Sequence, residues 1–286
     1  MLTRRLGRTG HHSSVAVLGG AAFWDADPDT TAAGFGAALD AGVNHLDVAP
    51  GYGRAQELLG PLVGPARDRL FVACKTLRHD PGGVRAQLEE SLTLLRCEHF
   101  DLYQLHAVTD LAELDARARA ISAILAARDE GLCRFVGVTG HNLTTPVAQR
   151  EALRRYDLDT VMFPVNPRLW ADPTYRRDAE TLIAEAQSRD VGVMAIKAVA
   201  ARPWGPRRHT AGTWYDPYTS DAEISRGVRF VLSVPGVHAL CTPSDPALSA
   251  AAITAAERFA PMTADEQADA MRATATEAHI FPMPTG

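Results

Sequence analysis

The chain has 286 residues, 46% apolar and 22% charged, a globular composition and a size that suits one α/β barrel. Its net charge of −5 leaves no basic surplus for phosphate backbones, which argues against a nucleic-acid partner. No apolar run approaches the roughly 20 residues that cross a bilayer, and the opening Met-Leu-Thr-Arg-Arg-Leu-Gly has no apolar signal region, so no membrane partner and a cytoplasmic location are expected.

The segment Arg4 to Gly10 is short and turn-rich, and predicts a small hairpin under a barrel floor; His11 and His12 behind it read as solvated loop. Val15–Gly19 is the first strand candidate. Asp29–Ala41 reads as a helix that opens after an Asp-Pro pair and stops at Gly42. His45–Ala49 is the second strand, followed by a short helix over Glu57–Val63. Leu70–Lys75 precedes Gly83–Leu95, which sets Leu88, Leu92 and Leu95 on one helical face. Strands Leu102–His106, Phe135–Thr139, Thr160–Val165 and Gly192–Lys197 then alternate with helices Leu114–Arg128, Thr145–Tyr156 and Tyr175–Arg189. A long loop, Ala200–Asp221, carries Trp204, Trp214, Tyr215 and Tyr218. Helix Ala222–Leu232, strand Val237–Cys241, helix Ala247–Phe259 and a tail complete the chain.

Most of these strands are dense in Val, Leu, Ile and Phe without strict alternation, as parallel strands covered on both faces are. Eight βα units in one series leave no room for a linker, so a single (β/α)8 barrel domain over residues 1–286 is expected, with a long loop after strand seven and a C-terminal tail. No G-x-G-x-x-G turn follows the first strand, which disfavours an open dinucleotide-binding sheet.

The chemistry gathers at strand ends. Asp47, Lys75 and His106 close or nearly close three consecutive strands, and Tyr52 follows Asp47 by five residues in a Pro-Gly-Tyr-Gly turn. Parallel strands would bring all four to one rim, where barrel enzymes keep their catalytic groups. Alone, each has a bland reading: a core histidine, a solvated lysine, a capping aspartate. Together they describe a phenol acid, ordinarily near 10, lowered by the Lys75 ammonium with Asp47 as counter-charge. His106 would orient a substrate oxygen. No Ser or Cys stands beside a base as a nucleophile. The four cysteines (Cys74, Cys97, Cys133, Cys241) form no C-x-x-C pair and read as core residues, with no metal site expected.

These residues resemble the aldo-keto reductase superfamily. The matching stretches are Arg5-Leu6-Gly7-Arg8-Thr9-Gly10, Gly42-Val43-Asn44-His45-Leu46-Asp47 with Tyr52 and Gly53, Lys75, Asp101-Leu102-Tyr103-Gln104-Leu105-His106 and Phe135-Val136-Gly137-Val138-Thr139. The resemblance implies an NAD(P)H-dependent reductase of a small-molecule aldehyde or ketone: Tyr52 the general acid, Asp47 and Lys75 its tuning pair, His106 the orienting group. It places the cofactor along Gly20, Thr139, Gly140, Met162, Ile196, Lys197 and Ser244, with NADPH as the family's usual nucleotide. Departures cluster on that side. Thr139-Gly140 and then His141-Asn142 stand where a Ser-Asn pair is common, Met162 replaces a Gln, and Ile196-Lys197 replaces a stacking aromatic. After strand eight, Cys241-Thr242-Pro243-Ser244-Asp245-Pro246-Ala247 offers no basic residue, Ala251 stands near the usual Asn, and Asp245 would repel a 2′-phosphate, which opens the way to NADH.

Two alternatives remain at this level: a non-redox or regulatory nucleotide-binding barrel, and a dehydratase or isomerase of a sugar or secondary-metabolite intermediate. The substrate pocket is expected from Trp24, the 200–221 loop and the tail, with Arg207-Arg208-His209 either solvated or contacting phosphate.

Overall fold

The computed structural model describes residues 1–281. Its strands, in chain order, are β1 (Thr3–Arg5), β2 (His12–Ser14), β3 (Ala16–Gly19), β4 (His45–Asp47), β5 (Phe71–Thr76), β6 (Phe100–Leu105), β7 (Cys133–Thr139), β8 (Thr160–Pro164), β9 (Gly192–Ile196), β10 (Ala200–Arg202), β11 (Asp216–Pro217) and β12 (Ala239–Cys241). Eight of them close a parallel barrel in the order β3-β4-β5-β6-β7-β8-β9-β12 and back to β3. The helices are α1 (Pro28–Asp40), α2 (Ala55–Ala66), α3 (Pro81–Leu95), α4 (Leu111–Ala116), α5 (Ala118–Asp129), α6 (Thr145–Arg155), α7 (Pro167–Trp170), α8 (Pro173–Ser188), α9 (Asp221–Ser233), α10 (Pro246–Glu257) and α11 (Ala264–Thr274).

One start signal recurs. Asp27, Asp80, Asn166, Asp172 and Asp245 each precede a proline, and each side chain accepts a bond from a first-turn backbone N–H. The carboxylate or amide satisfies a donor that the helix cannot, and proline sits where no donor is needed. Most strand and helix bounds lie within two residues of the sequence reading. Two helices depart further. The short Glu57–Val63 helix extends to Ala55–Ala66 despite Pro61 and Pro65. Packing overrides propensity there: Leu59 and Val63 are fully buried, and a Cβ on Gly60 would lie 2.0 Å from the Leu94 carbonyl oxygen of α3. The expected Leu114–Arg128 helix starts earlier and breaks at Arg117, whose buried guanidinium is drawn towards the rim.

The barrel floor is closed as expected. The β1–β2 hairpin carries Leu6 into an inner cluster with Phe71, Ala73, Leu102, Met162, Met194 and Ile196. His11 is not solvated; it stacks on Phe71 at 4.5 Å, half-buried, because the hairpin turn presses it onto the floor. A larger cluster fills the space between strands and helices. The inner face follows a period of two, so Phe71, Ala73 and Lys75 share it on β5, and Leu102, Gln104 and His106 share it along β6. Register then sets height: Asp47 pairs with Ala73, and Lys75 with Gln104.

Candidate active site

Lys75 organises the rim. Its ammonium donates to Asp47 Oδ2 in a very short contact and to Tyr52 Oη at 3.2 Å, and it lies 5.0 Å from the Tyr52 ring centre. Lys75 and Asp47 are both 1% exposed. The second Asp47 oxygen accepts from Gln104 Nε2 at 3.1 Å, and Cys241 Sγ approaches Oδ2 at 3.8 Å. Tyr52 is held by the turn after β4, where Gly53 has φ +51° and a Cβ would meet the Trp24 carbonyl oxygen at 2.3 Å. Only glycine fits that approach, which ties Trp24 to the phenol's turn. The His106 ring stands edge-on to Tyr52 at 5.8 Å and to His141 at 5.4 Å. His106 Nδ1 is buried, with no hydrogen-bond partner among the described residues.

Electrostatics assigns protonation states. Burial, though opposed by Asp47 and Tyr52, does not win at Lys75, whose ammonium is held well above its ordinary value. The Tyr52 phenol goes the other way from the sequence expectation: burial outweighs the nearby ammonium and pushes it up to about 12. Lys75 limits the rise rather than reversing it. Burial, with help from Lys75, holds His106 well below its usual range, and burial with the Lys197 and Lys75 charges takes His141 down to about 3. Both imidazoles are neutral at pH 7.

Burial likewise keeps His45 at the floor uncharged. Since the unfolded chain protonates near 6.5 and these three sites do not, stability should fall as pH drops below 6.5, by up to about 1.4 kcal/mol per pH unit for each. Urea titrations at pH 7 and pH 5.5 check this; equal stabilities at both would refute it.

Two cavities meet at the rim. The inner cleft, about 60 Å³, is lined by Asp47, Tyr52, Lys75, Met162, Ile196 and Cys241 among others. The outer one, about 470 Å³, lies between Trp24 and Trp214 over Tyr52 and His106. They share Ala21, Tyr52, His141, Lys197 and Ser244. Of the positions expected to face a cofactor, Met162, Ile196, Lys197 and Ser244 line the inner cleft. Gly20 sits behind that wall, a Cβ there meeting Val48 at 3.0 Å. Thr139 and Gly140 also lie behind it: Thr139 Oγ1 accepts from Ala107 N at 3.3 Å, and a Cβ on Gly140 would strike the Val108 carbonyl at 2.3 Å. Their neighbour His141 reaches both cavities in their place.

The aromatic loop divides its labour. Trp204 donates to Thr213 O at 2.7 Å and stacks on His209, and Tyr218 packs against the tail at Glu277, so these hold the loop together. Trp214 and Tyr215 face the site, with Phe281 5.8 Å behind Trp214; residues 282–286 of the expected tail lie outside the described residues. Arg207 pairs with Asp216 at 2.7 Å.

Three residues escaped the sequence reading. Gln104 fixes Asp47, and the period of two from His106 was signal enough to place it inside. Cys241, expected in the core, borders Asp47 and the cleft, its thiol kept protonated by burial. Arg117 donates to the carbonyls of His106 and Arg78 at 3.3 Å each and to Glu113 at 2.7 Å, bracing the loop behind His106. Its contacts span up to 41 positions and leave no local pattern.

Comparisons with known proteins bear on the family and on the barrel. A family model described as Aldo/keto reductase family matches residues 16–210. Aldo-keto reductase YhdN of Bacillus subtilis is 28% identical over 140 residues, 44% of this chain and 41% of that protein. Methylglyoxal reductase DkgA of Salmonella typhimurium is 30% identical over 122 residues, 42% and 43% of the two chains. The matched stretches thus span less than half the length of these relatives. The solved aldo-keto reductase AKR11C1 from Bacillus halodurans, in its holo form, superposes with a TM-score of 0.71 at 18% identity over 98% of both chains.

Proposed function

The chain belongs to the aldo/keto reductase family, and from that premise we propose that it reduces an aldehyde or ketone, or oxidises the corresponding alcohol, with Tyr52 as the proton donor. The observation that carries the reading is Lys75 Nζ lodged between Asp47 and Tyr52 Oη beneath an apolar cavity.

The donor set of the cleft fits a nicotinamide nucleotide. Met162, Ile196 and Leu240 offer an apolar wall for a flat ring, and neutral His141 offers a ring nitrogen to an amide. A reduced nicotinamide, when bound, supplies hydride to the carbonyl carbon. Tyr52 does the rest. Lys75 donates to its oxygen, which leaves the phenol's own proton free to pass to the carbonyl oxygen, and the resulting phenolate lies against the ammonium. Asp47 keeps that ammonium in place. His106, uncharged, orients the oxygen, and the two indoles flank the cavity in which it sits.

The adenosine end fits a nucleotide without a 2′-phosphate. Asp245 caps α10 through Leu248 N at 3.0 Å and accepts from Gly212 N at 2.9 Å, setting a carboxylate at that helix terminus. Ser244 Oγ also donates to Gly212 O at 3.2 Å, so the 200–221 loop is latched across the narrow inner cleft and must yield for a nucleotide to enter. NADH should therefore serve better than NADPH, and Asp245→Asn should improve NADPH relative to NADH by about tenfold, the equivalent of 1.4 kcal/mol of relieved repulsion. Comparing kcat/KM for both nucleotides checks it; an unchanged ratio counts against Asp245 as the selector.

A panel of aldehydes and quinones with each nucleotide tests the reading itself. Steady oxidation of either is expected. Its absence across the panel would leave the nucleotide-binding barrel or the dehydratase standing instead.

A further inference from the structure

Lys75 and Lys197 are the only lysines in the chain; every other Lys-or-Arg position is arginine. Both line the inner cleft. Arginine suits planar ion pairs, whereas lysine presents a compact point charge that one oxygen can meet. The Lys75 charge is committed to Asp47. That of Lys197 is not: among the described residues no carboxylate lies within 4.0 Å of it, and its Nζ rests over the rings of Trp214 at 4.9 Å and Tyr215 at 5.1 Å. Its backbone is fixed in the left-handed region, φ +72°, with the carbonyl accepting from Asn166 Nδ2 and Ala200 N. Such a conformation is costly for a side chain other than glycine and is retained where the surroundings impose it. Burial holds the amine down to about 8, so it is still mostly charged at neutral pH.

The outer cavity makes this charge conspicuous. Its lining comprises Trp24, Trp214, Tyr52, two neutral histidines, small residues and Ser244, with Lys197 the one charged group among the described residues. Trp24 and Trp214 are 53% and 51% exposed, two open indole walls facing the cavity. A half-buried ammonium with no carboxylate beside it among the described residues suits an anion, and indole faces suit a flat ring.

We propose that Lys197 is the anion-recognising group of the outer cavity, and that the substrate is an aromatic carbonyl compound bearing a carboxylate. The assignment rests on the reading above that Tyr52 protonates a carbonyl in this cavity. A pyrophosphate of the nucleotide is the other anion that could meet Lys197, since of its two ring partners Trp214 lines the outer cavity and Tyr215 the inner cleft; the substrate is favoured because Lys197 is the one charged group among the described residues that line the outer cavity, whereas the inner cleft also holds the Lys75–Asp47 pair.

The test compares 4-carboxybenzaldehyde with its uncharged methyl ester. The wild type should prefer the acid, and Lys197→Met should lower the acid-to-ester ratio of kcat/KM by about 10- to 100-fold, the range of a charged hydrogen bond, through KM. Lys197→Arg should retain part of the preference. Thermal melting of Lys197→Met should show no loss, since a half-buried charge without a carboxylate partner is removed. In a parallel arm, quenching of indole fluorescence in nucleotide-free protein reports binding of 4-(hydroxymethyl)benzoate and its methyl ester, which cannot react. The variant should lose affinity for the acid selectively. Equal ratios in wild type and variant would overturn the proposal, as would weakened NADH binding with the acid-to-ester ratio intact. If no carbonyl turns over in the wild type, the functional reading fails, and the binding arm still decides the role of Lys197.

Discussion

Replacing Tyr52 with Phe is expected to lower turnover by about 10²–10⁴, the usual worth of a positioned general acid. Among the described groups that line the cavities with Tyr52, only the Lys197 ammonium, held down to about 8, carries a comparably labile proton, and it rests over the Trp214 and Tyr215 rings. His106 and His141 are held neutral by burial, and an imidazolium donor is therefore scarce at pH 7. Lys75 is fixed on Asp47 and held well above its ordinary value. The Cys241 thiol is likewise pushed up. The fold should barely notice, because the substitution removes one oxygen at 3.2 Å from an ammonium that keeps its carboxylate. Since the phenol is pushed up to about 12, the reductive rate should stay level from pH 6 to pH 9 as far as this group governs it, and the proton-accepting oxidative direction should gain with rising pH. Steady-state rates in both directions, with a melting curve for the variant, decide the point. Wild-type turnover in Tyr52→Phe would end this mechanism.

The rim was legible because parallel strands are simple. Apolar runs fixed the strands, strand ends fixed the height, and Asp47, Lys75 and His106 fell into place. Inward direction was legible too, and could have placed Gln104 had the alternation been followed two residues back from His106. What stayed hidden depends on chain segments remote in sequence. Arg117 sits inside what reads as an ordinary helix, and only folding brings it beneath the carbonyl of His106. Cys241 reads as core because core cysteines and cleft cysteines have the same neighbours along a strand. The direction of the Tyr52 shift depends on how dry the rim is, and a sequence carries charges without their burial. Loop 200–221 announced itself by its aromatics, but which of them would pack inward and which would face a ligand was set by the Trp204 bond to Thr213 and the latch at Gly212.

Lys75→Met and Asp47→Asn should each damage the protein, and differently. Methionine leaves the Asp47 carboxylate in a site 1% exposed, with Gln104 as its remaining close donor. Breaking a buried pair in this way costs roughly 3–5 kcal/mol. Asparagine leaves the lysine without a counter-charge, but a buried lysine can shed its proton, as the lowered value of Lys197 illustrates. The fold should therefore lose less, while Tyr52 loses the ammonium that limits its upward shift, so the rate falls more than the stability. The pH responses have opposite signs. In the wild type the raised Lys75 contributes stability that is fully present below its ordinary 10.5 and lost only as pH rises through its folded value. In Asp47→Asn the folded lysine should bind its proton less well than the unfolded one, so the deficit is largest near pH 7 and shrinks towards pH 10. In Lys75→Met the deficit should shrink on acidification, which neutralises the stranded carboxylate. Because both variants break the same contact, the double change should cost much less than the sum of the singles. Denaturation and turnover measured across pH for the two singles and the double complete the cycle, and strict additivity in both observables would mean that the two residues do not act as a pair.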